Sequence, residues 1–259
     1  MVKVAKLGQF GFFKFFSKKV SCLPIRMKQA EHHMLLQNKI FRNEILVLGL
    51  VALIMLVGFV LVFTNLPLFE RYTVEDGIVE WLTVIGLLMA SFTCFSRAVQ
   101  LRPYRSWLFI TGCALLGLLL FFGAGEEISW GQRIFGIESS DYFKQNNTQG
   151  ETNLHNLVVG GVRVNRWVFS FFLTAVMGFY VVVMPLLYRR KNWMQRFVTY
   201  CGIPLPKIYQ ALAFVVLFAL STLVPHEKRA ELLEACTAFM LFLTIRYPAN
   251  THTFTRLPL

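Results

Sequence analysis

The sequence predicts an all-α fold, a polytopic transmembrane helix bundle of about six spans, and three observations carry that prediction. Of 259 residues, 56% are hydrophobic and only 15% are charged, against about 25% charged in a soluble domain, and the mean hydropathy is +0.54. A bilayer core about 30 Å thick needs about 20 apolar residues per helical span, and six stretches approach that length: roughly 45–66, 78–97, 106–124, 167–188, 208–225 and 231–247. Their runs of Leu, Val, Phe and Ile do not alternate as the strands of a transmembrane barrel would.

Residues 1–44 form a basic, aromatic segment ahead of the first span. Lys14 interrupts the Phe10–Phe16 run, so no apolar stretch of signal-peptide length precedes a small-residue cleavage site, and a cleaved signal is rejected. Aromatic rings interleaved with Lys14, Lys18 and Lys19 suit a segment lying at the headgroup level on anionic lipid; a solvated basic tail is the plainer alternative. Gln29 to Phe41 is expected as a short cytoplasmic helix leading into the membrane domain, 45–247. Within that domain, 124–166 forms a long outward loop, and 248–259 is a cytoplasmic tail.

Orientation follows from the positive-inside rule. With the N-terminus inside, nineteen Lys and Arg fall on the cytoplasmic side and seven outside, and the short loops Arg97–Arg105 and Arg189–Arg196 supply seven of the nineteen. Both termini are therefore expected in the cytoplasm. Of fourteen acids only Glu31 and Glu44 lie inside, leaving a net charge of −5 outside and +17 inside. Acids add little to topology, so this clustering either marks function or fills the space that bases vacate. The overall +12 thus points to anionic lipid at the cytoplasmic face. It excludes nucleic acid as a partner, because the bases are scattered over membrane-proximal loops. Five cysteines without Cys-x-x-Cys or zinc-ribbon spacing give no disulfide framework.

The span centres hold almost no polar groups, so chemistry is expected at the outer membrane interface. Ionisable groups at the end of a membrane-length segment are costly there unless partnered, and so are functional candidates. Leu108 to Phe122 is almost purely apolar and runs into Glu126, Glu127, Ser129, Trp130, Gln132 and Arg133. As a continuing helix, Glu126, Ser129, Trp130 and Arg133 share one stripe, Glu127 points towards Ile134, and Arg133 is placed to neutralise Glu126. Gly123, Gly125 and Gly131 admit a break or a close approach there. Asp76 and Glu80, four apart, open the second span.

In the outward loop Glu151 and His155 have metal-ligand spacing if helical, which also suits a carboxylate that raises the basicity of an imidazole. Gln149, Asn153 and Asn156 add amides that can bond hydroxyls or carbonyls. In the last span Glu227, Glu231 and Glu234 lie at i, i+4 and i+7; the helix macrodipole accounts for the first two. Glu234 needs a partner and is expected to face the bundle interior beside the end of the third span. The candidate catalytic groups are Glu126, Glu127, Glu151 and His155, with Glu151 and His155 as metal ligands. The candidate binding groups are Glu80, Trp130, Gln132, Arg133, Gln149, Asn153, Asn156 and Glu234.

Three functions remain open. The site binds a divalent cation or performs acid–base work on a lipid or lipid-linked substrate, with metal-activated water as nucleophile. Alternatively it is a structural network in an assembly subunit that meets a membrane-protein partner. A transporter is the third, although no relay crosses the apolar span centres. The zinc signature His-Glu-x-x-His and the Gly-x-Ser-x-Gly elbow are absent.

The segments Gly-Glu-Glu-Ile-Ser-Trp-Gly-Gln-Arg (125–133) and Gly-Glu-Thr-Asn-Leu-His-Asn (150–156), following Glu-Asp-Gly-Ile-Val-Glu-Trp (75–81), resemble a group of uncharacterised bacterial polytopic membrane proteins. The resemblance covers about the central third of the chain. It implies a bacterial inner membrane and a periplasmic outer face, and no particular reaction.

Overall fold

A computed structural model describes residues 25–74, 76–164 and 171–256. The expectations for the N-terminal aromatic segment, for Glu75 and for the start of the fourth span at 167–170 lie outside the described residues. The chain divides into two units, Met1–Leu46 and Val47–Leu259.

Helix α1 is Ile25–Thr64. A short helix followed by a span was expected, but no proline falls between Pro24 and Pro67 to break the backbone, and one helix results. Asn65 then caps α2, Leu66–Tyr72, by accepting from the Leu68 amide at 3.1 Å. Helix α3 is Ile78–Leu101, and α4, Trp107–Glu127, runs past the expected limit at 124 to carry Glu126 and Glu127 on its last turn. Two short helices follow, α5 at Gln132–Phe135 and α6 at Asp141–Asn146. Strands β1, Val158–Val159, and β2, Val162–Arg163, pair antiparallel across Gly160 and Gly161, whose φ of 59° and 79° suit a two-residue hairpin turn. Helix α7, Leu173–Arg190, has a π-helical middle at Phe179–Val183. Then come α8, Asn192–Tyr200, α9, Ile208–Thr222, α10, Arg229–Arg246, and a 3₁₀ turn at Thr251–Phe254.

Among the described residues the fold is all-α apart from that hairpin. Among the described residues four helices are long and apolar enough to cross a membrane: Ile40–Thr64, α3, α4 and α7. Helix α9 is apolar but has 15 residues, and α10 has 18 with Glu231 and Glu234 in its first half.

Within the second unit α3 packs along both α4 and α10, and α9 packs on α10. Small residues permit these crossings, as membrane helix pairs require. A Cβ on Gly86 of α3 would lie 2.9 Å from the Ala238 Cβ and 3.0 Å from its carbonyl carbon. The buried Ser91 hydroxyl donates to the Gly117 carbonyl at 2.8 Å, tying α3 to α4. Val51, Ile54 and Met55 of α1, Phe214 and Leu217 of α9, and Leu232, Cys236, Phe239 and Leu243 of α10 share the main core.

At the end where α4 begins, the C-terminal turn is sewn down. Arg105 donates to the carbonyls of Thr253 (3.0 Å) and Thr255 (2.7 Å), Arg97 stacks 4.1 Å from the Phe254 ring centroid, and Asn250 bonds the backbone of Ile203 and Leu205.

Candidate functional site

The opposite end of α4 does not continue as a helix. After Glu127 the chain turns through three consecutive left-handed residues, Ser129 (φ 46°), Trp130 (φ 56°) and Gly131 (φ 75°). Only Gly131 adopts that region without steric cost; a non-glycine residue held there costs of order 1–3 kcal/mol and persists where its surroundings over-determine it. Here they do. The Trp130 ring lies flat against Gly125, where an added Cβ would come within 2.9 Å of it, and sits 5.4 Å from the Phe122 ring. Its indole N–H donates to the Glu126 Oε1 at 2.9 Å. Gly125 thus admits an aromatic ring rather than a neighbouring backbone, and Trp130 packs on its own helix.

The break redirects Arg133. The expected stripe from Glu126 to Arg133 does not form, and Arg133 does not neutralise Glu126. Its guanidinium instead reaches Asp76 at 2.9 Å, Glu80 at 3.4 Å and Glu151 at 3.2 Å, joining the start of α3 to the loop. Asp76, itself left-handed at φ 57°, precedes α3, and its amide donates to the buried Glu80 carboxylate at 2.7 Å.

Glu126 is 3% exposed and meets its burial cost with N–H donors. Besides Trp130, the amides of Leu154 (2.6 Å) and His155 (3.2 Å) donate to its Oε2. Glu126 is therefore the cleat on which the outward loop is tied. Around it the loop is cross-braced. Ser129 donates to Glu151 at 2.5 Å, and Asn153 donates to Ser129 at 2.8 Å. Asn147 donates to both oxygens of Asn153 at 2.9 Å and accepts from the Gln149 amide at 2.8 Å. Asn156 donates to Gln149 at 2.6 Å, while Gln132 accepts from the Thr152 amide at 2.8 Å and donates to Ser139 at 2.6 Å.

Residues 151–156 are bends and turns, so Glu151 and His155 do not share a helix face. Asn and Asp side chains compete with a helix by bonding local backbone, and Asn147 and Asn153 do so here. Glu151 uses its oxygens on Ser129 and Arg133. His155 is partly buried, and that burial holds its imidazole below the ordinary histidine value; the nearby Glu126 and Glu151 carboxylates offset part of the effect. The neutral form, able to take or pass a proton near neutrality, is thereby favoured.

Glu127 departs from the Glu126 network. Its carboxylate meets Glu231 and Glu234 at the start of α10, with one oxygen of each within 4.8 Å of the others. Glu234 thus stands beside the end of α4, its carboxylate against Glu127 and Glu231. Among the described residues this trio is the group of three ligand-type side chains close enough to hold one metal ion. Hard carboxylate oxygens suit Mg²⁺ or Ca²⁺ better than Zn²⁺. Glu231, Ser129, Ser139 and Asn147 stood outside the expected site. The crowding of Asn, Thr and Gly over 146–156, a turn-forming composition, was the available signal for Asn147.

The chain matches no family model, no curated protein and no solved structure.

Proposed function

We propose that the chain is a six-span inner-membrane protein with both termini cytoplasmic, and that its outward face takes up the polar part of a lipid or lipid-linked substrate. The observation that carries this reading is the convergence of carboxylates at one end of the apolar helices. Asp76, Glu80 and Glu151 are drawn together by Arg133, Glu126 is bound into the loop, and Glu127 meets Glu231 and Glu234. Acids in such a place are expensive and mark substrate or ion sites by default. The two groups divide the work: the Glu126–Arg133 network fixes the loop, and the Glu127 trio is the donor set for a cation, either an amine headgroup or a divalent ion. A divalent ion held by two or three carboxylates keeps positions for phosphate oxygens, which links the site to a phosphate-bearing lipid.

A second reading, an assembly subunit with a membrane-protein partner, is favoured by a different observation. The hydrogen bonds of Glu126, Gln132, Asn147 and Asn153 are spent within the loop, and beside them Ile134, Phe135 and Ile137 are 58%, 74% and 60% exposed. A rigid loop carrying an apolar tip suits docking against another protein as well as immersion in the interface.

The deciding experiment is native mass spectrometry of protein in nanodiscs, with elemental analysis, comparing wild type with Glu127→Gln/Glu231→Gln/Glu234→Gln. Wild type should retain a lipid or a stoichiometric divalent ion that the triple variant loses at unchanged melting temperature. Retention of both by the variant overturns the lipid reading. Loss of a co-purifying protein from Phe135→Ser, with lipid content unchanged, supports the assembly reading.

A further inference from the structure

The chain carries no Asp or Glu between Glu151 and Glu227, yet Arg189, Arg190, Lys191 and Arg196 fall together in that stretch. All four are exposed, and among the described residues no ion pair engages them. Three of them precede α8 and Arg196 lies on it; α8 follows α7 after one extended residue, Lys191 (φ −129°, ψ 118°). Helix α8 has two apolar sides. Met194 and Val198, four apart, are buried against Leu205 and form one. Trp193, Phe197 and Tyr200 sit at i, i+4 and i+7 and form the other, yet they are 60%, 47% and 55% exposed. On a soluble helix three large aromatics in one stripe would be buried in a core. Here they point away from it, with Arg196 beside them.

The position of α8 is fixed by its far end. A Cβ on Gly112, near the start of α4, would lie 2.0 Å from the Cys201 carbonyl oxygen, so the end of α8 abuts the basic end of α4, about 14 residues or roughly 21 Å from Glu126. Helix α8 therefore sits beside the terminus of the membrane helices, where aromatic side chains gather at the headgroup level and bases meet lipid phosphate.

We propose that α8 is an interfacial helix that immerses Trp193, Phe197 and Tyr200 at the headgroup boundary and binds the phosphates of anionic phospholipid through Arg189, Arg190, Lys191 and Arg196. This rests on the membrane-spanning reading and is independent of the carboxylate end. Charge complementarity selects the occupant: four uncompensated bases over an aromatic stripe match an anionic lipid surface, and a zwitterionic headgroup would supply an amine that they repel.

The test uses the full chain in nanodiscs of equal parts phosphatidylcholine and phosphatidylglycerol, the same in both leaflets, so that the outcome does not depend on orientation. Lipids retained by the protein are counted by native mass spectrometry. Wild type should favour phosphatidylglycerol, and Arg189→Gln/Arg190→Gln/Lys191→Gln/Arg196→Gln should weaken that preference by about tenfold. Trp193→Ala/Phe197→Ala should weaken it as well. A control of equal charge change at bases assigned to the outward side, Arg71→Gln/Lys144→Gln/Lys228→Gln/Arg229→Gln, should leave it nearly intact. If the control loses as much as the α8 variant, or if the α8 variant keeps the preference, the proposal falls. Because the control and the α8 variant both retain the Glu127 trio, failure here leaves the outward-face proposal standing and distinguishable.

Discussion

At the scale of single residues, Glu126 carries more of the structure than its neighbour Glu127, although the two are adjacent acids of the same type. Its carboxylate receives Trp130 Nε1 and the amides of Leu154 and His155. Hydrogen bonds to a charged group contribute about 1.5–3 kcal/mol each, and orphaned buried donors cost more. Glu126→Ala should therefore free the 147–157 loop, costing about 3 kcal/mol locally and exposing it to limited proteolysis, whereas Glu127→Ala should leave its protection unchanged. His155 gives a pH signature to the same loop. Its folded value lies below the ordinary 6.5, so the unfolded loop binds the extra proton. Loop stability is then complete above about 6.5 and declines as pH falls below it. The protection factors of residues 150–157, taken relative to the intrinsic exchange rate at each pH, should fall on acidification from 7.5 to 5.5 in the wild type and stay flat in His155→Asn.

At the scale of elements, hydrophobic runs predict the helices well, because a bilayer rewards one simple property, apolar length. Helices α3, α4 and α7 follow from it. The ends of helices are another matter. Glu126 to Arg133 looks helical in sequence, and only Gly123, Gly125 and Gly131 hint at the break; Ser129 and Trp130 enter the left-handed region because Gly125 leaves room for the indole and Glu126 holds its N–H. That cause is tertiary and leaves no local mark. Glu151 and His155 failed as a helical pair for a legible reason, since Asn147 and Asn153 cap turns instead. The partners of Arg133 could not be read at all, because they follow from where the broken helix points. The α3–α10 crossing is the element most exposed to a single change. A side chain larger than hydrogen at Gly86 meets Ala238 backbone, and overpacking of this kind costs about 1–3 kcal/mol. Gly86→Leu should lower the thermal midpoint in detergent, and Gly123→Ala, whose Cβ would meet only the Leu87 side chain at 3.5 Å, should not.

At the scale of the whole molecule, the proposed topology would separate the charges, with nineteen bases and two acids on one side and seven bases and twelve acids on the other. This asymmetry predicts topology directly. In a background lacking native cysteines, Gln145→Cys should react with a membrane-impermeant maleimide in intact cells. Thr255→Cys should react only after permeabilisation, and labelling of both from outside would remove the six-span reading. Both positions are exposed, so the contrast reports the membrane rather than burial.

The order of residues along the chain also gives the Arg133 knot a direction in time. Asp76 and Glu80 are synthesised before Arg133, so the guanidinium emerges to meet acids already in place. Glu151, which shares it, follows 18 residues later, about one to four seconds at ordinary rates of synthesis. The loop can close onto the helix ends only after both have arrived, and the bonds from the Leu154 and His155 amides to Glu126 are then the last stitches. A translation pause between 133 and 151 would leave the helices inserted and the outward face unlaced.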